Sequence, residues 1–211
     1  MQKRAIISFA ALLFVGVLFT PRDIFATGTN QLGRPPRWAV KLNMPGLPNL
    51  HQVTTNLYRG AQPTSKGMAE LKAMGIKTVI NLRAYHSDKD ELAKAGSELK
   101  PSRFHMTAWH GGDEDVIRFL KVVSDTNNLP AFVHCQHGAD RTGLMCAMYR
   151  ITVCDWTRQD AINEMTQGDF GFHPIWKNLV TYLKQVDVDE LKRRTGIAPR
   201  PDPPNEHPPG R

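Results

Sequence analysis

From residue 56 onward, short apolar runs give way repeatedly to stretches in which apolar residues recur every three or four positions, the mark of strands alternating with helices. Leu57-Tyr58-Arg59 predicts a first short strand. Thr64 then caps a helix over 65–74 that Gly75 stops, and Lys77-Thr78-Val79-Ile80-Asn81-Leu82 predicts a second strand. Ser87, with Asp90 three residues later, opens a helix to about residue 99, and 103–107 supplies a third strand. Val116, Ile117, Phe119, Leu120 and Val123 recur at helical spacing, after which Pro130-Ala131-Phe132-Val133-His134 is a short, mostly apolar strand of the kind buried on both faces. Further helices are predicted over 142–153, from Thr157 (with Asp160) to Met165, and over 175–186. The fold class this implies is α/β: a three-layer sandwich with a central, mostly parallel sheet of about four to five strands and helices on both faces.

The ends depart from this pattern. Met1-Gln2-Lys3-Arg4 precedes an apolar stretch over 5–19 broken by Ser8 and Gly16, and Ile24-Phe25-Ala26 is an imperfect small-x-small cleavage site. Positive charge before an apolar run without a polar face predicts an export signal over 1–26 that places the body in the periplasm, or an uncleaved anchor in the inner membrane. That segment is the one membrane contact expected, since no later stretch is long and apolar enough to span a bilayer. Residues 27–55 read as a linker or irregular lead-in, within which Trp38, Val40 and Leu42 alternate as a candidate edge strand. The folded domain is expected over 56–195, and the Pro-rich tail over 196–211 carries too little apolar surface to order itself.

Lys and Arg outnumber Asp and Glu by 27 to 20, a formal charge of +7 that favours anionic partners without choosing among them. Part of the surplus lies near the ends, and no stripe of interleaved basic and aromatic residues marks a nucleic-acid groove, so no nucleic-acid partner is expected. The eight histidines and three cysteines show no paired ligand spacing, and neither a metal nor another cofactor is expected. Three cysteines are an odd number. Cys146 and Cys154 fall on or at the end of one helix, about 12 Å apart by the helical rise, too far for a disulfide unless the helix ends early.

The third, Cys135, opens the most informative loop. His134-Cys135-Gln136-His137-Gly138-Ala139-Asp140-Arg141-Thr142-Gly143 runs from a buried strand to a helix start, so its backbone N–H groups can curl around an anion at the helix's positive end. Five residues between Cys135 and Arg141 let the loop close into a ring with the thiol on its floor and the guanidinium on its rim. N–H dipoles and a fixed cation favour a thiolate, a strong nucleophile toward phosphorus, and Arg141 can hold two equatorial oxygens with a planar fork that Lys lacks. Thr142 is placed to donate its hydroxyl to the sulfur, Gly138 and Gly143 permit turns a side chain would obstruct, and His134 is expected to orient the loop.

On this His-Cys-x5-Arg-Thr-Gly motif the chain resembles the protein tyrosine phosphatase superfamily, and in particular its compact dual-specificity branch. Asn56-Leu57-Tyr58-Arg59-Gly60-Ala61-Gln62-Pro63 and Gly75-Ile76-Lys77-Thr78-Val79-Ile80-Asn81-Leu82-Arg83 resemble the first two strand regions of bacterial and atypical dual-specificity phosphatases. The resemblance spans much of 56–186. It implies a dual-specificity phosphatase-like fold and a cysteine-dependent phosphatase forming a phosphocysteine on Cys135, with Gln136, His137, Gly138, Ala139, Asp140 and Arg141 around the substrate phosphate. The implied partner is a phosphorylated protein or another phosphomonoester, phosphotyrosine before phosphoserine, phosphothreonine or phosphoinositides.

The family mechanism also implies a general acid upstream of the nucleophile. The matching region, 107–115, lacks a clear Trp-Pro-Asp. Asp113, after a Gly pair, is the first candidate, although it equally suits the N-cap of the next helix; Asp115 and His110 follow. Asp140, beside Arg141, is a second candidate or a salt bridge that positions the loop. Arg83 and His137 either supplement the positive field or sit idle on the surface. A rhodanese-like sulfurtransferase would carry a tighter ring, and a low-molecular-weight phosphatase would place its Cys near the N-terminus. The non-enzymatic alternative is a pseudophosphatase that binds phosphorylated ligands, against which stand the intact Cys135, Arg141 and Thr142.

Overall fold

The computed structural model describes residues 35–107 and 112–198. The expected export segment, the start of the lead-in, His110 and the end of the tail lie outside the described residues. Six strands form one sheet: β1 (Val40–Lys41), β2 (His51–Gln52), β3 (Leu57–Gly60), β4 (Thr78–Asn81), β5 (Lys100–Arg103) and β6 (Ala131–His134). Their order is β1-β2-β3-β6-β4-β5, with β1, β2 and β3 antiparallel and β3, β6, β4 and β5 parallel.

Seven helices are described: α1 (Ser65–Ala73), α2 (Lys89–Ala95), α3 (Asp113–Ser124), α4 (Asp140–Thr152), α5 (Arg158–Gln167), α6 (Lys177–Gln185) and α7 (Val188–Thr195). The period-two alternation of the strands sorts them into two layers. Leu57, Ile80, Ala131 and Val133 face a core closed by α3 to α7, while Tyr58, Val79 and Phe132 face a second core closed by Met68 and Leu71 of α1 and Leu92 of α2. β6 is buried along its whole length. Its C-terminal end is therefore covered on both faces, and whatever leaves that end starts from a rigid base. Among the described residues no helix is long and apolar enough to cross a membrane.

Several boundaries differ from the sequence expectation, each for a physical reason. The third strand is 100–103 rather than 103–107; it is the sheet's edge, so Lys100 and Ser102 can point to water, and it carries little hydrophobic signal. Phe104 and Met106 supply that signal instead, buried just past the strand. Over 35–55 the lead-in is folded into the domain and not a linker: it contributes β1, the edge strand that Trp38, Val40 and Leu42 suggested, and β2, and Ala39, Leu47, Leu50 and Val53 are buried. Its Gly and Pro residues make tight turns, and Gly46, at φ +77°, packs where a Cβ would strike Gly67. α7 was not anticipated either; Asp187 caps it and Gly196 ends it in the left-handed conformation.

Candidate active site

The loop after β6 is built from the scaffold side. His134 is fully buried at the strand end, Cys135 is 2% exposed at the loop floor, and α4 begins at Asp140. Every carbonyl from 135 to 139 has a partner directed at it. His134 Nδ1 lies 3.2 Å from the Cys135 oxygen, the Gln62 N–H donates to Gln136 at 3.2 Å, and Asn49 Nδ2 donates to His137 at 2.9 Å. Arg59 Nη2 donates to the Gly138 carbonyl at 2.7 Å, and the Gly143 N–H donates to that of Ala139 at 2.8 Å. Across a planar trans peptide the carbonyl and the next residue's N–H point in opposite directions. Five carbonyls fixed outward therefore turn the N–H groups of 136–140 toward the interior of the loop, at the positive end of α4.

Gly138 makes this curl possible. Its φ is +70°, and a Cβ there would strike the backbone of Gly60 and Ala61. Gly143 serves differently from the expected turn: it is helical, and its missing side chain makes room for Met165. Beneath the loop lies Arg59, 1% exposed, its guanidinium 3.7 Å from the centre of the Phe170 ring. No carboxylate pairs with it among the described residues. A fixed positive charge thus stands under the anion cradle.

Arg141 is half-buried, with Nη1 donating to the carbonyls of Leu82 at 3.4 Å and Met106 at 3.2 Å. With Gln136 it forms one wall of an open cleft of about 380 Å³ completed by Arg83, Tyr85, His86, Thr107 and Trp176. Arg83 is thereby brought to the site. His137 is exposed and lines a neighbouring depression with Asn49, Phe170 and His173 instead. Thr142 is buried, and its hydroxyl has no hydrogen-bond partner, so the expected bond to the Cys135 sulfur is not formed here.

The acid candidates separate. Asp140 is buried, and its carboxylate accepts the His173 backbone N–H at 2.9 Å and faces His173 Nδ1 at 2.9 Å, which ties the loop to the 168–176 segment. Asp113 is not the N-cap, a place taken by Gly112; it is the first residue of α3, and its Oδ1 accepts from Tyr182 at 2.7 Å. It is exposed and does not line the cleft. Burial raises the carboxyl of Asp115 above its ordinary range, against the opposing charge of Arg118.

Asn49, Arg59, Gln62, Asp88 and His173 are residues of this site that the motif does not contain. Arg59 and Gln62 fall inside the 56–63 segment that resembles known phosphatases, which is the one sequence signal that points to them. Asp88 Oδ2 lies 3.0 Å from His134 Nε2 and its Oδ1 accepts from Gln62 at 2.8 Å. Donor atoms of His86, Asp88 and Glu91 come within 4.8 Å of one another, but Asp88 is engaged by those two bonds and His86 faces Glu91 at 3.4 Å. Within the cluster only the Asp88 side chain is hydrogen-bonded; among the described residues His86 Nε2 and Glu91 Oε2 are buried without a hydrogen-bond partner.

A family model described as "DSP-PTPase phosphatase fused to NAD+ Kinase" matches residues 44–178. The dual specificity protein phosphatase TpbA of Pseudomonas aeruginosa is 32% identical over 160 residues, 75% of this chain and 71% of that protein. The inositol diphosphatase DSP5 of Arabidopsis thaliana is 24% identical over 153 residues, 69% of this chain and 73% of that one. Among solved structures, P. aeruginosa TpbA in complex with phosphotyrosine superposes with a TM-score of 0.67 at 31% identity, covering 78% of this chain and 99% of that one. The catalytic core of Siw14 from S. cerevisiae shares the fold, with a TM-score of 0.61 at 19% identity over 74% of this chain and 95% of its own. With the family model spanning most of the described domain and a relative 32% identical over three quarters of the chain, the chain belongs to the dual-specificity-like branch of the protein tyrosine phosphatase superfamily.

Proposed function

We propose that this chain is a metal-independent phosphomonoester hydrolase working through a phosphocysteine on Cys135, with phosphotyrosine in proteins as its leading substrate. The observation that carries the reading is the outward pinning of the five carbonyls from 135 to 139, which directs peptide N–H groups around the thiol. In the first step the Cys135 sulfur attacks phosphorus, the S–P bond forms as the bond to the leaving oxygen breaks, and a carboxylic acid gives that oxygen its proton. In the second, water gives a proton to the same carboxylate and attacks phosphorus. The S–P bond breaks, releasing inorganic phosphate and the thiolate.

Arg141 holds the equatorial oxygens through both steps, and Thr142 Oγ1 is the donor assigned to the departing sulfur. The acid is assigned to the carboxylates that open α3, Asp113 first and Asp115 behind it, because the family resemblance implies an acid upstream of the nucleophile; to serve, Asp113 has to leave Tyr182 and turn into the cleft. Asp140 is assigned to positioning, since His173 holds its carboxylate.

Phosphotyrosine is supported by the related TpbA structure that contains it and by the aromatic residues Tyr85 and Trp176 along the cleft. Arg83 favours a second class: at the rim it can meet another phosphate, as an inositol phosphate would require, and an Arabidopsis relative is named an inositol diphosphatase. The test is a panel of aryl, alkyl, phosphopeptide and inositol phosphates in the presence of a chelator. Turnover is expected to persist with chelator and to vanish in Cys135→Ser. Equal turnover by Cys135→Ser would refute the reading.

The charge and apolar pattern of 1–26 further supports export. Fractionation of cells producing the full chain should place it in the periplasm or inner membrane, and recovery in the cytosol would oppose this.

A further inference from the structure

We infer that Asp88 is a positioning residue for the reaction proposed above, its buried carboxylate holding His134 behind the nucleophile and, through Gln62, Arg83 on the cleft rim. Asp88 occupies the N-cap of α2 yet makes no capping bond. An aspartate in that position ordinarily accepts from the first turn of its helix. Here the side chain, 4% exposed, turns the other way and spends both oxygens on the site.

Two branches leave that carboxylate, and the second divides at Gln62. Oδ2 meets His134 Nε2 at 3.0 Å, and His134 Nδ1 lies 3.2 Å from the Cys135 carbonyl. Oδ1 accepts from Gln62 Nε2 at 2.8 Å, and Gln62 Oε1 accepts from Arg83 Nη1 at 3.0 Å. The Gln62 backbone N–H donates to the Gln136 carbonyl at 3.2 Å. One carboxylate therefore braces two loop carbonyls and a rim cation. The His134 ring stacks on Phe132, with centroids 5.7 Å apart and planes 23° apart, so packing and hydrogen bonding fix the same orientation.

The other groups facing Asp88 are Asn81, which hydrogen-bonds it, and His86 and Glu91 close by. Burial alone would raise the Asp88 carboxyl; the His134 hydrogen bond and charge, then Gln62 and Asn81, outweigh it and hold it below the usual carboxylate range. Both His134 nitrogens are engaged, one by the Asp88 carboxylate and one by the Cys135 carbonyl, so the ring is held from both sides. Without the carboxylate the ring can turn, the Cys135 carbonyl loses its brace, and the N–H groups behind the thiol lose their alignment.

The test uses the full chain and Asp88→Asn, Asp88→Glu and Gln62→Ala, each with its melting curve. Two readings are taken against pH: kcat/KM on an aryl phosphate and the rate of Cys135 alkylation by iodoacetate. Asp88→Asn should move the acid limb of kcat/KM upward by about one pH unit and slow alkylation near pH 6 by roughly threefold to tenfold. Asp88→Glu, which keeps the charge, should restore most of the profile. Gln62→Ala should raise KM about threefold to tenfold through Arg83 and leave the alkylation profile in place.

A folded Asp88→Asn with unchanged pH profile and alkylation overturns the inference, and so does a Gln62→Ala whose KM does not move. Should Asp88→Asn fail to fold, the Glu and Gln62 variants decide. Alkylation needs no turnover, so failure of this inference is distinguishable from failure of the phosphatase reading, which wild-type turnover and its loss in Cys135→Ser decide separately.

Discussion

Arg59 and Gly138, 79 positions apart in sequence, are joined by a 2.7 Å hydrogen bond from the guanidinium to the loop carbonyl, made inside the core where Arg59 is 1% exposed. A guanidinium this buried without a carboxylate carries a desolvation penalty of several kcal/mol. Two loop carbonyls and the Phe170 ring offset part of it. On the function proposed above, a phosphate dianion in the cradle would be the remaining counter-charge, and the penalty in the free protein would become affinity when substrate arrives.

Arg59→Met keeps the length of the side chain and removes both the charge and the bond to Gly138. A hydrogen bond from a charged donor contributes about 1.5–3 kcal/mol, so kcat/KM on an aryl phosphate should fall roughly tenfold to a hundredfold. Arg59→Lys retains the charge without the fork and should lie between. Steady-state kinetics with competitive inhibition by inorganic phosphate check this. An unchanged inhibition constant for phosphate in Arg59→Met would remove Arg59 from the account of the cradle.

How much of this could be read from the sequence follows from where the signals sit. β6 and its loop were legible because an apolar run ends directly in the loop residues assigned to the phosphate, and those are contiguous. The edge strand β5 was displaced because edge positions carry no burial pattern. The supports of the loop were hidden for a different reason: Asn49, the Arg59–Gln62 stretch and Asp88 come from three separate segments, and only the sheet order that puts β3 and β4 on either side of β6 makes them neighbours. Asp88 was doubly obscure, since a helix start already explains an aspartate. His173, in a turn after α5, offers no periodicity at all.

The two aspartate candidates should separate by leaving group. If the carboxyl at the head of α3 protonates the departing oxygen, Asp113→Asn should slow an alkyl phosphate about a hundredfold and an aryl phosphate far less, because a phenolate leaves with little help. Asp140→Asn weakens the tie to His173 and should depress both substrates alike, by roughly tenfold or less. Parallel kinetics on the two substrates check this, and a loss selective for the alkyl ester in Asp140→Asn alone would transfer the acid role to position 140.

The remaining thiols predict a clean labelling pattern. Burial pushes the Cys146 thiol up to about 11 even with Arg59 nearby, and burial also raises Cys154. Both are protonated near neutrality, and Cys146 is buried besides, so iodoacetate, an anion suited to the cradle, should label Cys135 first. Cys135→Ser should take up almost nothing over the same interval, as mass spectrometry of digests would reveal. The raised Cys146 value also gives stability that is complete below the unfolded thiol value of about 9 and is lost as pH climbs through about 11. Chemical unfolding across that window should show a loss of roughly 2–3 kcal/mol that Cys146→Ala no longer displays.

The last prediction concerns how the lead-in is held. Glu164 on α5 accepts Arg150 Nε and Nη2 of α4, each at 2.8 Å, and the backbone N–H of Ala39 at 2.6 Å, while Arg150 Nη2 also donates to the Arg37 carbonyl at 3.2 Å. Both side chains are almost fully buried, at 4% and 3% exposure. Removing one member leaves the other charge stranded, which costs about 3–5 kcal/mol, so Glu164→Ala should lower the melting temperature sharply and expose residues near 39 to proteolysis. Glu164 does not touch the loop, and kcat/KM measured well below the transition should stay within about threefold of wild type. The double variant Arg150→Met with Glu164→Leu should recover much of the melting temperature, because an apolar pair of similar volume carries no desolvation penalty. It cannot rebind Ala39, so protection of the lead-in should stay lost even as stability returns. Recovery of both together would mean that packing on α4 and α5, and not the Glu164 carboxylate, holds that segment to the domain.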